Sequence, residues 1–192
     1  MIETVREHIK KKYNQKGTVI WFTGLSSSGK TSLSRELQSR LLQSNCLVNT
    51  LDGDQVRKGL SSDLDYSKKG RQENIRRIGE VAKLFVDAGF VICVAAISPF
   101  RRDRDYVRGI FSLGQFIEVY LECPLKECEK RDVKGLYKLA RNGKIHDFTG
   151  ISSPYENPTN PEIKLKTDIH DLQKCADQII DYQTECQRIG NN

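Results

Sequence analysis

The sequence predicts an α/β fold of three layers, a mostly parallel central sheet with helices on both faces. Three observations carry that expectation. Short apolar runs alternate with amphipathic helical stretches, the order that builds parallel strands joined by crossover helices. Two of the runs, "TVIWFT" and "FVICVAAI", are nearly continuous in apolar residues, as central strands covered on both faces must be. A length of 192 residues with 38% hydrophobic and 29% charged content is enough for one core without disulfide or metal staples.

The first strand is Thr18–Thr23, with Trp21 read as core rather than as a stacking surface for a ligand. The helical stretch "SLSRELQSRLLQSN" follows, then a second strand at Cys46–Leu51. The clearest helix is "RQENIRRIGEVAKLFVDAG", where Ile75, Ile78, Ala82 and Phe85 recur three and four residues apart and Gly89 supplies the stop. Strands at Phe90–Ile97 and Phe116–Leu121 come next, and Pro124 opens a short helix at "PLKECEKRD". A fifth strand is expected at Glu162–Thr167 and a closing helix at "DLQKCADQIIDYQ". From Lys134 to Asn160 regularity fades, and "SPYENPTNP" reads as loop. With no repeat, low-complexity tract or linker, residues 1–192 are expected to form a single domain.

Lys plus Arg outnumber Asp plus Glu by 31 to 25, a formal charge of +6, which favours anionic partners. There is no basic tail and no aromatic-basic stripe, so small anions fit better than nucleic acid. The six cysteines (Cys46, Cys93, Cys123, Cys128, Cys175 and Cys186) show neither a C-x-x-C pair nor zinc spacing. They read as reduced thiols of a cytoplasmic protein, with Cys46 and Cys93 acting as small hydrophobes. The first residues lack the apolar segment of a signal peptide, and no run reaches membrane-spanning length; no membrane partner is expected.

Directly after the first strand, "GLSSSGKTS" matches G-x-x-x-x-G-K-[ST], the P-loop pattern, in its required strand–turn–helix setting. Gly24 and Gly29 let successive N–H groups approach phosphate oxygens, and the following helix adds its own free N–H groups. Leu25, Ser26, Ser27, Ser28 and Ser32 complete the loop, the three central serines as small turn residues rather than nucleophiles. Lys30 should reach the outer phosphates, and the Thr31 hydroxyl should ligate Mg²⁺. The motif therefore names a nucleoside triphosphate as donor.

The second strand runs into "LDGDQVRKGL". Ligands of open parallel sheets collect beyond the carboxyl ends of the strands, which aims Asp52 and Asp54 at the P-loop crevice. One carboxylate can hold Mg²⁺ and the other can orient or deprotonate an acceptor hydroxyl. The alternative is a turn in which both bond to backbone; beside a P-loop, the functional reading is favoured. Arg57 shares the crevice if a helical turn starts at Asp54. Arg71 and Asn74 share a helix face, although spacing alone reads Arg71, Arg76 and Arg77 as solvated surface.

Together "GLSSSGKTS", "LDGDQVRKGLSSDLDYS", "RQENIRRIGEVAKLFVDAG", "AAISPFRRDRDYVR", "FIEVYLECPLKECEKRD" and "KGLYKLARNGKIHDFTGISSPYE" resemble the adenylylsulfate kinase (APS kinase) family, in order, from about Gly17 to about Thr167. The resemblance implies a P-loop NTPase fold and transfer of the γ-phosphoryl group of MgATP to the 3′-hydroxyl of adenosine 5′-phosphosulfate (APS), giving PAPS and ADP. It implies that Asp54 orients or deprotonates that hydroxyl, that Asp52 organises Mg²⁺, and that Arg57, Arg71 and Asn74 contact the sulfonucleotide. Tyr66 and Phe148 match the aromatic positions that sandwich the acceptor adenine, where stacking contributes about 1–3 kcal/mol per base. The resemblance also implies that Ile97 and Ser98 line the acceptor site. The serine is phosphorylated in some members, but Ser98 is read as a binding residue, since in-line transfer needs no covalent intermediate. Arg101 adds charge nearby or lies at the surface. Residues of about 134–150 match a mobile lid, with Lys134 and Arg141 over the substrates and Arg131 near the ATP base. Read without the resemblance, that stretch is an exposed basic helix, and His146 is surface.

This chain departs from the family pattern in having Tyr66 where Phe is usual and Cys123 where a small residue is common. Residues 1–16 form an unaligned N-terminal extension. The family often dimerises, so a homodimer is an expectation of the resemblance, as is a functional link to an ATP sulfurylase. The competing readings are a P-loop kinase of another hydroxyl acceptor, such as a nucleoside or sugar acid, and a nucleotide-dependent switch. The lack of an N-K-x-D motif weighs against a GTPase form of the latter.

Overall fold

A computed structural model describes residues 4–189, and their side chains through Glu185; the Cys186 side chain and the outermost residues of the expected 1–192 domain lie outside what is described. The element order is α1 (Val5–Tyr13), β1 (Thr18–Thr23), α2 (Lys30–Gln43), β2 (Val48–Asp52), α3 (Gly53–Val56), α4 (Lys68–Asp87), β3 (Val91–Ala95), α5 (Arg101–Gly109), β4 (Phe116–Glu122), α6 (Leu125–Arg131), α7 (Leu136–Arg141), β5 (Ile163–Lys166) and α8 (Leu172–Ile189). The five strands form one parallel sheet in the order β2-β3-β1-β4-β5.

The continuous apolar run of β1 follows from its central place, where all six residues are buried. Val19 and Trp21 face α4 and α5 together with Ile75, Ile78, Ala82, Val86 and Val107. Ile20 and Phe22 face α2 and α8 together with Leu33, Leu37, Leu41, Cys175, Ala176 and Ile179. These are the three layers that the alternating pattern predicts. Trp21 is core, as expected, stacked on Phe116 at 5.8 Å between ring centroids. A third cluster of Cys123, Cys128, Tyr137, Ala140 and Phe148 joins α6 and α7 to the chain that follows them.

Strand boundaries shift where caps intervene. The chain at Asn45 takes a positive φ of 58°, and Cys46 N–H bonds back to the α2 carbonyl of Leu41, so β2 begins at Val48 and extends through Asp52. α4 starts at Lys68, ahead of the expected Arg71, because the Ser67 hydroxyl accepts from Gly70 N–H. Two helices escape sequence periodicity. α1 carries a capping box between Thr4 and Glu7, a T-x-x-E signal. α5 buries Asp103 and Arg104 beside Val107, so it lacks the apolar stripe by which amphipathic helices are found.

Candidate active site

The crevice lies over the carboxyl ends of β1, β2 and β3. The phosphate loop turns through positive φ at Gly24 (151°), Ser27 (58°) and Gly29 (102°). A Cβ at Gly24 would come within 2.8 Å of the Leu121 carbonyl, so this glycine permits both the turn and the close approach of β4. Gly29 caps α2 without a side-chain acceptor, leaving first-turn N–H groups for an anion.

Lys30 opens α2 and is buried. Its ammonium donates to the carbonyls of Gly24 at 3.0 Å and Leu25 at 2.5 Å and lies 3.4 Å from Ser28 Oγ, folded back along the loop. Burial pushes its pKa down to about 8, because desolvation disfavours the cation. The Thr31 hydroxyl donates to Asp52 Oδ2 at 2.8 Å, which joins the phosphate loop to the end of β2. The other Asp52 oxygen accepts from the backbone N–H of Asp54 at 2.9 Å and of Gln55 at 3.4 Å. Asp52 thus makes the turn contacts of the alternative reading with one oxygen and meets Thr31 of the phosphate loop with the other. Asp54 is exposed and ion-paired with Lys134. Hard oxygens from a hydroxyl and a carboxylate suit Mg²⁺, which keeps waters and is held largely by nucleotide phosphates. Among the described residues no group of three His, Cys, Asp or Glu could hold a metal by itself.

Beyond β2, α3 supplies the expected helical turn. The Arg57 guanidinium lies 4.3 Å from the Tyr66 ring centroid and donates to the carbonyls of Leu64 and Asp65. Tyr66 is exposed, whereas Phe148 is buried edge-on against Tyr137 at 5.0 Å. Arg71 is not solvated surface. It donates to Tyr66 O at 2.8 Å, Thr149 Oγ1 at 2.7 Å, Ser153 Oγ at 3.3 Å and the Asp147 carbonyl. Arg76 and Arg77 do stay on the outer face, paired with Glu73, and Arg77 also pairs with Asp63. Asn74 is buried with no partner for its Oδ1, a polar atom that a ligand donor would satisfy.

The Ile97–Ser98 turn borders the same crevice. Ser98 is buried and adopts a φ of 40°, strained for a residue with a Cβ. Its hydroxyl accepts from Trp21 Nε1 at 3.1 Å, and the Ile97 carbonyl accepts from Thr23 Oγ1 at 2.8 Å. Arg101 anchors a loop, with Nε donating to the Asn157 carbonyl at 3.0 Å. Arg131, expected near the ATP base, donates to the carbonyls of Thr167 at 2.6 Å and of Ser27 in the phosphate loop at 3.5 Å. Arg141 pairs instead with Glu129 of α6, and His146 is exposed.

Sequence reasoning missed several residues that shape this crevice. Tyr137 donates from its hydroxyl to Ser26 O at 3.0 Å, and Thr167 donates to Ser28 O at 2.8 Å. Thr23 is shared with the Tyr155 hydroxyl at 2.9 Å. Only Thr23 gave a signal, as a polar residue ending an apolar strand.

The profile of the family described as adenylylsulphate kinase matches residues 16–166. A probable adenylyl-sulfate kinase of Halalkalibacterium halodurans is 55% identical over 92% of this chain and 88% of its own length. An adenylyl-sulfate kinase of Acaryochloris marina is 51% identical over 94% of this chain and 88% of its own length. Among solved structures, the Mycobacterium tuberculosis APS kinase CysC in complex with AMPPNP and APS superposes with a TM-score of 0.83 at 42% identity, covering 88% of this chain and 98% of that one.

Proposed function

The chain belongs to the adenylylsulphate kinase family, and on that premise we propose that it transfers the γ-phosphoryl group of ATP to the 3′-hydroxyl of APS, yielding PAPS and ADP. The observation that carries this reading is the Thr31–Asp52 contact, which joins a donor loop to an acceptor edge bearing a second, exposed carboxylate at Asp54. A phosphate loop alone accounts for nucleotide binding; the acceptor edge accounts for transfer.

In this reading Lys30 leaves the loop carbonyls and places its charge on the outer phosphates of ATP. Thr31 and Asp52 would hold Mg²⁺. The ion, when bound, neutralises phosphate charge. Asp54 gives up Lys134 to the incoming substrates and takes the hydrogen bond of the 3′-hydroxyl, orienting it for in-line attack. Lys134 is then free to meet phosphoryl charge. Arg57, Arg71 and Asn74 contact the sulfonucleotide, and the Ile97–Ser98 turn shapes its site. Tyr66 and Phe148 take the adenine between them, which requires Arg57 to move off Tyr66 and Phe148 to turn from Tyr137. The stretch of about 134–150 acts as a lid, and Arg131 and Arg141 serve the nucleotide side. A homodimer, an ATP sulfurylase that supplies APS and a cytoplasmic site of action belong to the same reading and rest on the resemblance. Among the described residues no helix is long and apolar enough to cross a membrane.

The test is direct: purified protein with ATP, Mg²⁺ and APS should give PAPS and ADP in equal amounts. ADP release that prefers a nucleoside or sugar acid, or needs no acceptor, would overturn the proposal.

A further inference from the structure

The strain at Ser98 raises the question of what holds it. Ser98 is 1% exposed with φ at 40°, and a strained buried residue persists only where its surroundings over-determine it. Thr23 and Trp21 hold the Ile97 carbonyl and the Ser98 hydroxyl from below, on β1. The Ser98 carbonyl is held from the side by Arg104 of α5, whose Nη1 donates to it at 2.6 Å. Arg104 is itself 2% exposed, so its charge needs a buried partner. Glu118 of β4 is that partner, accepting from Nε at 2.8 Å. Glu118 is anchored in turn, because its second oxygen pairs with Arg108, which pairs with Glu162, and its backbone N–H donates to Glu162 Oε2 at 2.6 Å.

The third face of the same guanidinium reaches the chain that follows the 134–150 stretch. Nη2 donates to the Glu156 carbonyl at 2.7 Å, and the group lies 5.8 Å from the Tyr155 ring centroid. Glu156 N–H donates to Pro99 O, and Glu156 Oε2 accepts from Arg101 N–H, both at 2.8 Å. One planar side chain therefore fixes the 97–98 turn, the sheet and the 155–156 chain in a single geometry. Lysine cannot reproduce three directed contacts from one point charge.

We propose that Arg104, locked by Glu118, is a positioning residue for the acceptor. It sets the Ile97–Ser98 turn at the height that the sulfonucleotide requires, while its own hydrogen bonds go to Glu118, Ser98 and Glu156 and not to the phosphate loop. The inference rests on the assignment of that turn to the acceptor site.

Steady-state kinetics of R104K and E118Q test it, with Trp21 as a second reporter. Trp21 is the sole tryptophan of the chain, and its Nε1 donates to Ser98, so its emission reads the turn whatever the reaction. Wild-type PAPS formation tests the functional reading by itself. In R104K the KM for APS should rise about tenfold, while the KM for ATP stays within about twofold; E118Q should shift in the same direction by less. Trp21 emission should change in R104K even if the acceptor proved not to be APS. Unchanged Trp21 emission, an unchanged KM for APS, or parallel loss of both substrates would each overturn the proposal, the last by showing that Arg104 holds the fold rather than the acceptor.

Discussion

Lys30 combines burial, three loop contacts and a pKa of about 8, and these fix how it must behave on binding. Between about 8 and its ordinary 10.5 the unfolded chain holds a proton that the folded one lacks. This group's contribution to stability therefore rises with pH across that window. Phosphate oxygens favour the cation, so ATP binding should take up a proton at pH 9, seen as a buffer-dependent heat in titration calorimetry. Lys30→Ala should lose both that proton and nearly all phosphoryl transfer, by about 10²-fold or more. Near-normal turnover would refute the assignment. Asp54 calls for a different signature. Its carboxylate is exposed and its pairing with Lys134 is peripheral, so Asp54→Asn should leave the ATP Kd within about twofold while kcat falls about 10²–10⁴-fold. A loss confined to ATP affinity would place Asp54 on the donor side.

At the level of elements, α4 and α5 are held at close range by Gly79. A Cβ there would stand 2.9 Å from both methyl groups of Val107, a buried, β-branched side chain with little room to turn. Gly79→Ala gains helix propensity, but overpacking should win and destabilise the protein by about 1–3 kcal/mol. Thermal denaturation reads the loss; an equal or raised Tm would show that the helices part freely. The same pair of helices marks the limit of what sequence alone discloses. α4 was legible because Ile75, Ile78 and Ala82 repeat at helical spacing, and β1 because both of its faces are apolar. α5 was not, because ion pairs replace its apolar stripe and charged residues read as surface until Glu118 is seen beneath Arg104. The donor half of the site was equally legible, since a phosphate loop is contiguous in the chain. Arg71, Tyr137 and Thr167 were not assignable by spacing, because their partners lie 78, 111 and 139 residues away.

Across the whole molecule, the 134–150 stretch is fastened at separated points to parts of the chain that serve different substrates in the proposed reading. Tyr137 donates to the phosphate loop at Ser26, Lys134 pairs with Asp54 of α3, and Arg71 of α4 reaches Asp147 and Thr149. In the proposed reading the first tie senses the donor and the other two the acceptor, so closure over both substrates would depend on both halves being in place. The Lys134–Asp54 pair is exposed and contributes little, roughly 0–1 kcal/mol. Arg71 is half-buried and makes several directed bonds, which makes it the stronger fastener. Removing it should free the stretch without touching the sheet. In Arg71→Ala, amide hydrogen exchange should quicken across residues 134–150 and stay unchanged in α2 and α8. A stretch that closes poorly also admits water to the phosphoryl group. ADP should then form in excess of PAPS, with a raised KM for APS. Unaltered exchange in 134–150 would mean that Tyr137 and the cluster around Cys128 and Phe148 hold this segment unaided, and that Arg71 serves the sulfonucleotide alone.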